Sequence, residues 1–288
     1  MPVTTIPNGR ADRMRISKLR MALRALALIS MTLALLPFYL LTLPLGIGLA
    51  EAIKRLWFKG ACGLSGLRVN VIGAPSAQPG TLFVANHVSY LDIPVLGSLA
   101  EAAFVAKAEV AYWPVFGFLS RIAGTIFIRR KAADVKAQSA LLRRKLNSGK
   151  NLLIFPEGTS SDGTHVLPFR SSLFAAVSDG VGEPGLVQPV SIAYTHYRDG
   201  AKLVCGLQAF YAWFGEMELL PHLLTVFGLA GATVEVRFAA PVPAEAFKSR
   251  KGLAAYCQDV VADNLARSHS ARPTPLPLEA EEAILIQV

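Results

Sequence analysis

His87 and Asp92 stand five residues apart in Asn86-His87-Val88-Ser89-Tyr90-Leu91-Asp92, directly after an apolar run from Thr81 to Ala85. A neutral imidazole, with an ordinary pKa near ~6.5, can take the proton from a hydroxyl as that oxygen attacks an electrophile. A carboxylate that receives the opposite ring N–H fixes the tautomer and stabilises the imidazolium that forms. Five residues of regular helix turn the chain by about 500°, so the two side chains cannot share a helical face. His87 is therefore expected in a loop after a Thr81–Ala85 strand, with Asp92 near the start of the next helix, a start that Pro94 blurs. Ser89 followed by Asp92 also fits a helix-capping pair, a purely structural use for Asp92. No Gly-x-Ser-x-Gly elbow and no clear cysteine nucleophile is present, which favours direct transfer without a covalent enzyme intermediate. His87 and Asp92 lack a second His at metal-ligand spacing, so no metal is expected, and nothing calls for a cofactor.

The elements that must position this pair follow from the alternation of residue types. Beyond Gly60, β-rich runs at Leu67–Ile72, Thr81–Ala85, Ala103–Ala106, Thr125–Ile128, Leu152–Phe155, Val187–Tyr194 and Thr233–Phe238 alternate with helical patterns. The alternation predicts an α/β fold with a mostly parallel central sheet flanked by helices. Ala132–Ser148 reads as a surface helix, stopped by Gly149. The apolar stretch Ala209–Ala230, broken by Pro221, reads as core or, alternatively, as a lipid-facing lip near the site. His165, His196, His222 and His269 sit in no readable motif and are expected on the surface or in packing.

Composition adds the setting. At 288 residues the chain is long enough for one full α/β core plus an accessory segment. A hydrophobic content of 52% and a mean hydropathy of +0.42 exceed what a soluble domain usually carries, so some apolar surface must face lipid. The net charge of +9 suits an anionic partner: a membrane surface, an acidic carrier protein or nucleic acid. The basic residues lack any recognisable nucleic-acid-binding module, and the apolar anchor selects the membrane. Arg10, Arg13, Arg15, Lys18, Arg20 and Arg24 precede an uncharged stretch from Ala25 to Ala50, after which Lys54, Arg55 and Lys59 restore positive charge. The stretch exceeds the about 20 residues that a span needs, but basic residues at both ends keep both on one side, and Pro37 and Pro44 interrupt it. A re-entrant two-helix anchor is thus expected before a single span, and a cleaved leader is disfavoured by length. The domains expected are a basic segment 1–24, a membrane anchor 25–60, a catalytic domain 61–267 and a flexible tail 268–288. Cys62, Cys205 and Cys257 are odd in number and far apart, which suits a reducing, cytoplasm-facing domain.

The His87 block and the later Phe155-Pro156-Glu157-Gly158-Thr159, with two further blocks, resemble the 1-acylglycerol-3-phosphate acyltransferase family over roughly Leu67 to Ile192. The first block is similar to the family's Asn-His-x-Ser-x-x-Asp, which implies His87 as base and Asp92 as its partner. Phe104-Val105-Ala106-Lys107-Ala108-Glu109 and Gly124-Thr125-Ile126-Phe127-Ile128-Arg129-Arg130 resemble the stretch whose cations bind the acceptor phosphate, a role implied for Lys107 and Arg130. The third block implies acceptor contacts for Glu157, Gly158 and Thr159, although Glu157 has the alternative of holding Lys107 or Arg130 in place. Val187-Gln188-Pro189-Val190-Ser191-Ile192 is similar to a strand linked to acyl-donor binding or support of the site.

The resemblance implies a membrane enzyme that transfers a fatty acyl group from acyl-CoA or acyl carrier protein to a lysolipid hydroxyl. It would act at the cell inner membrane with its catalytic domain facing the cytoplasm. Where the family often has Arg-Ser after the third block and later Phe-Lys-Arg-Gly, this chain has Ser160-Ser161 and Phe169-Arg170-Ser171-Ser172. One phosphate-binding arginine is missing, while Arg129 and Arg170 are cations that could make up for it. Lysophosphatidic acid is the first acceptor implied, and lyso-ornithine lipid, which has no phosphate, is the alternative that the changed block favours. A non-catalytic membrane-surface lipid-binding protein is the rival from another class.

Overall fold

The computed structural model describes residues 16–45, 48–129, 135–178, 185–198, 200–203 and 210–270. The chain enters through α1 (Lys18–Thr42) and α2 (Leu49–Leu64), joined through a short 3₁₀ turn at Leu43–Leu45. Trp57 Nε1 donates to Thr32 Oγ1 at 2.8 Å, and a Cβ on Gly60 would strike Met31, so the two helices run back along one another as a hairpin. Pro37 lies inside α1 without ending it. Successive residues turn by about 100°, which places Leu19, Leu23, Leu26, Leu33 and Leu41 on one stripe of α1; all five are exposed. The opposite side meets protein. The Ser17 amide and both Arg20 guanidinium donors reach Gly228 O, Arg24 reaches Phe227 O, Leu229 O and Ala230 O, and Tyr39 Oη donates to Ile122 O at 2.7 Å. Arg20 and Arg24, read from sequence as part of the basic flank of the anchor, are thus spent on the carbonyls at the end of another helix. The helical hairpin runs from Lys18 to Leu64 and contains the stretch 25–60 expected as a membrane anchor.

The remaining elements are β1 (Leu67–Ile72), β2 (Thr81–Ala85), α3 (Asp92–Leu99), β3 (Ala103–Lys107), α4 (Phe116–Ile122), β4 (Ile126–Ile128), α5 (Val135–Asn147), β5 (Leu152–Ile154), α6 (Ala175–Ser178), β6 (Leu186–Tyr197), α7 (Leu219–Gly228), β7 (Ala232–Phe238), β8 (Val242–Pro243) and α8 (Arg250–Ser270). They build an eight-stranded sheet in the order β1-β7-β6-β2-β5-β3-β4, with β8 pairing β6. Strands β6, β2, β5, β3 and β4 run parallel, and β7 and β8 pair antiparallel to β6. The mostly parallel α/β sheet expected from the alternation is what forms, with antiparallel pairing on the β6 side. The central strands read as unbroken apolar runs because both faces are covered: one cluster gathers Phe83, Leu96, Leu153 and Ile192, the other Leu82, Val84, Leu152 and Cys257. The last helix runs to Ser270, past the expected boundary at 267; residues 271–288 of the expected tail, and Cys205, lie outside the described residues.

Candidate active site

Parallel pairing sets the geometry of the site. Val84 on β2 lies opposite Ile154 on β5, so the residues three further along, His87 and Glu157, leave the same edge of the sheet side by side. Beyond β2 the ladder to β6 is continued by a side chain: Asn86 accepts from Ile192 N at 2.9 Å and donates to Ile192 O at 3.0 Å. The main chain of His87 is held at both ends by the Phe-Pro-Glu-Gly-Thr block and its sequel. Its N–H donates to Glu157 Oε1 at 2.8 Å, and its C=O accepts from Ser161 N at 2.9 Å.

Asp92 opens α3 and is fully buried. Its Oδ2 lies 2.8 Å from His87 Nδ1 and accepts the Val88 and Ser89 amides at 2.7 and 2.9 Å, while Oδ1 accepts the Tyr194 hydroxyl at 2.9 Å. Four contacts around one carboxylate hold it in a single orientation. Holding the loop and meeting the imidazole are therefore compatible: the same carboxylate accepts two amides of the loop and lies against the His87 ring nitrogen. An Nδ1–H on Asp92 leaves the Nε2 lone pair free for a substrate proton. The imidazole stacks on Phe155 at 4.1 Å and keeps about a fifth of its surface open. Burial deprives Tyr194 of a charged form, so it serves as a donor.

Glu157 is buried, with Oε1 on His87 N and Oε2 on Leu167 N at 3.1 Å. Desolvation pushes its carboxyl up to about 7 against the pull of these two amides, with the Asp92 charge raising it further. Both oxygens thus serve the protein, and Lys107, one of the two cations that Glu157 had the alternative of holding, lies 3.6 Å from Glu109. Gly158 adopts φ +75°, and a Cβ there would sit 2.9 Å from Arg170 Nε, so the exposed Arg170 guanidinium lies directly over the glycine backbone. Thr159 is exposed, with its hydroxyl making only a 3.5 Å bond to Ser160 O. Lys107 pairs in register with Ile128, which puts Lys107 and the exposed Arg129 at the same edge of the sheet as His87. Arg130 lies outside the described residues.

Ser160, at the position of the missing arginine, turns its hydroxyl onto Trp213 O, and Trp213 N donates to Val88 O at 2.9 Å. The segment before α7 therefore closes over the His87 loop. His222, on α7, takes part in this closure: its Nδ1 lies 2.9 Å from Tyr90 Oη. Tyr194 and His222 escaped the sequence reading because neither lies near the motifs along the chain; only Tyr194, at the end of the Val187–Ile192 block, had any sequence context. Beside the site lies an apolar cavity of about 250 Å³, lined by Leu28, Leu35, Trp57, Tyr90, Phe104 and Phe116 among others. Phe104 stacks on Phe155, which stacks on His87. The cavity wall is thus two rings away from the imidazole.

A family model described as Acyltransferase matches residues 68–193, which holds most of β1 through most of β6 with His87, Asp92 and Glu157. The lyso-ornithine lipid O-acyltransferase of Brucella abortus is 35% identical over 83% of this chain and 91% of its own length. That of Rhodobacter capsulatus is 43% identical over 68% of this chain and 69% of its own. The chain belongs to the acyltransferase family and is an acyltransferase of lysolipid type. The 1-acyl-sn-glycerol-3-phosphate acyltransferase of Neisseria gonorrhoeae is 38% identical over 37% of this chain and 42% of its own. The fold is that of the crystal structure of the 1-acyl-sn-glycerophosphate acyltransferase from Thermotoga maritima, with a TM-score of 0.59 at 23% identity over 86% of this chain and 98% of that one.

Proposed function

We propose that this enzyme transfers a fatty acyl group from a thioester donor, acyl-CoA or acyl carrier protein, to the hydroxyl of lyso-ornithine lipid, giving ornithine lipid. His87 Nε2 takes the hydroxyl proton as the oxygen attacks the thioester carbonyl. The tetrahedral intermediate then expels the thiolate, which recovers the proton from the imidazolium. The observation that carries the base assignment is the 2.8 Å contact of Asp92 Oδ2 with Nδ1, on a carboxylate already fixed by Val88, Ser89 and Tyr194.

The choice of acceptor rests on how far the similarity reaches. The lyso-ornithine lipid acyltransferases match through most of this chain, and the 1-acyl-sn-glycerol-3-phosphate acyltransferase of Neisseria gonorrhoeae through about a third. Ser160 supports the same choice, because it is committed to Trp213 O where a phosphate-binding arginine was expected. Arg170 over Gly158 offers a guanidinium fork that suits the carboxylate of ornithine. Lysophosphatidic acid, the first acceptor implied by the sequence, becomes the second reading, favoured by the exposed Lys107 and Arg129 at the edge of the site. The apolar cavity suits an acyl chain. α1 and α2 enter one leaflet of the cell inner membrane from the cytoplasmic side, since α1 is fastened to the catalytic domain near both of its ends and cannot cross alone.

Purified protein given labelled acyl-CoA or acyl carrier protein is expected to form ornithine lipid from lyso-ornithine lipid faster than phosphatidic acid from lysophosphatidic acid. His87→Ala should form neither. Phosphatidic acid alone would reverse the choice of acceptor, and no product from either would return the non-catalytic reading.

A further inference from the structure

From the end of β3 into the first turn of α4 the chain exposes Tyr112 at 79%, Val115 at 68% and Phe118 at 52%, large side chains that water does not favour. Val115 sits at φ +61°, the middle of a tight turn closed by Phe116 N on Pro114 O. A β-branched residue at positive φ is strained, and here the strain holds an apolar side chain outward at the apex of the turn. A cation sits at the tip: Arg121 Cζ lies 5.9 Å from the Tyr112 ring centroid and its Nη2 donates to Ala111 O, and along the chain Lys107 precedes the segment and Arg129 follows it. Aromatic and aliphatic side chains at a tip that also carries an arginine match an interface of acyl chains and anionic headgroups. The tip is also continuous with the anchor. Tyr39 Oη bonds Ile122 O at the end of α4, Phe38 beside it is exposed, and Phe116 shares the cavity wall with Leu35 of α1.

We propose that residues 112–118 form a second membrane-inserting element, which enters the same anionic leaflet as α1 and gives the cavity a lipid-facing wall. The proposal rests on the reading of α1 as a one-leaflet anchor. An acidic carrier protein is a different occupant for the same cations, but no charge interrupts the exposed apolar side chains at 112, 115 and 118, and the shared wall with α1 favours lipid.

The test uses the full chain with Cys205→Ser, since Cys62 and Cys257 are buried. An environment-sensitive dye is attached at Val115→Cys or, separately, at Leu26→Cys on the exposed stripe of α1. On adding vesicles of phosphatidylcholine with phosphatidylglycerol, both labels should shift to the blue and be quenched by brominated acyl chains. A response at 26 without one at 115 overturns the proposal and leaves the anchor reading intact; silence at both removes the anchor reading as well. A response at 115 to acyl carrier protein but not to vesicles overturns it in favour of a protein docking surface. The pair Tyr112→Ser and Phe118→Ser, outside the cavity wall, should weaken vesicle partitioning by about tenfold or more through lost apolar burial. Turnover of acceptor dissolved in detergent should be unchanged, and unchanged partitioning would equally sink the idea.

Discussion

Asp92 is the residue on which the proposed site turns, because one carboxylate contacts the proposed base, His87, and closes the loop that carries it. Asp92→Asn would put an amide against the Val88 and Ser89 N–H groups and remove the acceptor for the His87 ring proton. Activity is expected to fall by about 10²–10⁴-fold, the range a general base supplies, with vesicle binding retained. Tyr194→Phe leaves Asp92 Oδ1 unpaired at a cost of about 1–3 kcal/mol; a urea midpoint equal to wild type would show that the hydroxyl is dispensable. Glu157 carries a pH dependence of opposite sign to that of a salt-bridged acid. Its folded-state pKa of about 7 lies above its ordinary 4.5, so its stabilising contribution is complete below 4.5 and is lost as pH rises through 7. The loss is at most about 3 kcal/mol, from about 1.4 kcal/mol for each unit. Urea unfolding in detergent at pH 5 and pH 8 should show wild type losing more stability with rising pH than Glu157→Gln does. Equal slopes would mean that Glu157 stays ionised throughout.

Among the elements, α1 and α7 depend on one another. The carbonyls that end α7 have no partner of their own, and Arg20 and Arg24 supply positive donors where the helix dipole is negative. Arg24→Ala removes hydrogen bonds to three carbonyls and should cost about 1.5–3 kcal/mol, the range for bonds to charged groups. Limited proteolysis would register it as faster cleavage between α1 and the catalytic domain; an unchanged pattern would mean that the apolar contacts alone hold the helix. This clasp could not be read along the chain, since arginines before an apolar run look the same whether they meet headgroups or carbonyls 200 residues away. The strands were legible because each is an apolar run of the right length between turn residues, and the expected ends at Ala106 and Tyr194 fell short of Lys107 and Tyr197 by one and three residues. The direction of β7 was not legible, because a strand carries the same pattern whichever way it points. The terminal helix α8 was missed: its mixed Ala, Asp and Arg composition gives little periodic contrast. At the site, the first and third blocks were legible as neighbours in role, but their neighbourhood in space came from the β2–β5 register. Tyr194, His222 and the Ser160–Trp213 contact depend on long-range folding and left no local trace.

Taken whole, the molecule is a basic body with one apolar flank. A net charge of +9 should draw it to anionic vesicles, and binding should weaken as salt shortens the range of that attraction, about 10 Å at 0.1 M and about 3 Å at 1 M. Sedimentation with phosphatidylglycerol vesicles across this range measures the electrostatic share, and binding that is indifferent to salt would assign the hold to apolar contacts alone. The fastening of α1 to Gly228 near one end and to Ile122 near the other has a kinetic consequence. With α1 seated in one leaflet as proposed, anchor and sheet would move as a single body, the proposed base could not dip towards a distant lipid, and the acceptor would have to arrive by sliding within the leaflet. Collision would then take place in two dimensions. Adding inert lipid at constant acceptor should slow the reaction in proportion to the fall in surface mole fraction, whereas diluting the same vesicles with buffer should leave the turnover of each bound enzyme unchanged.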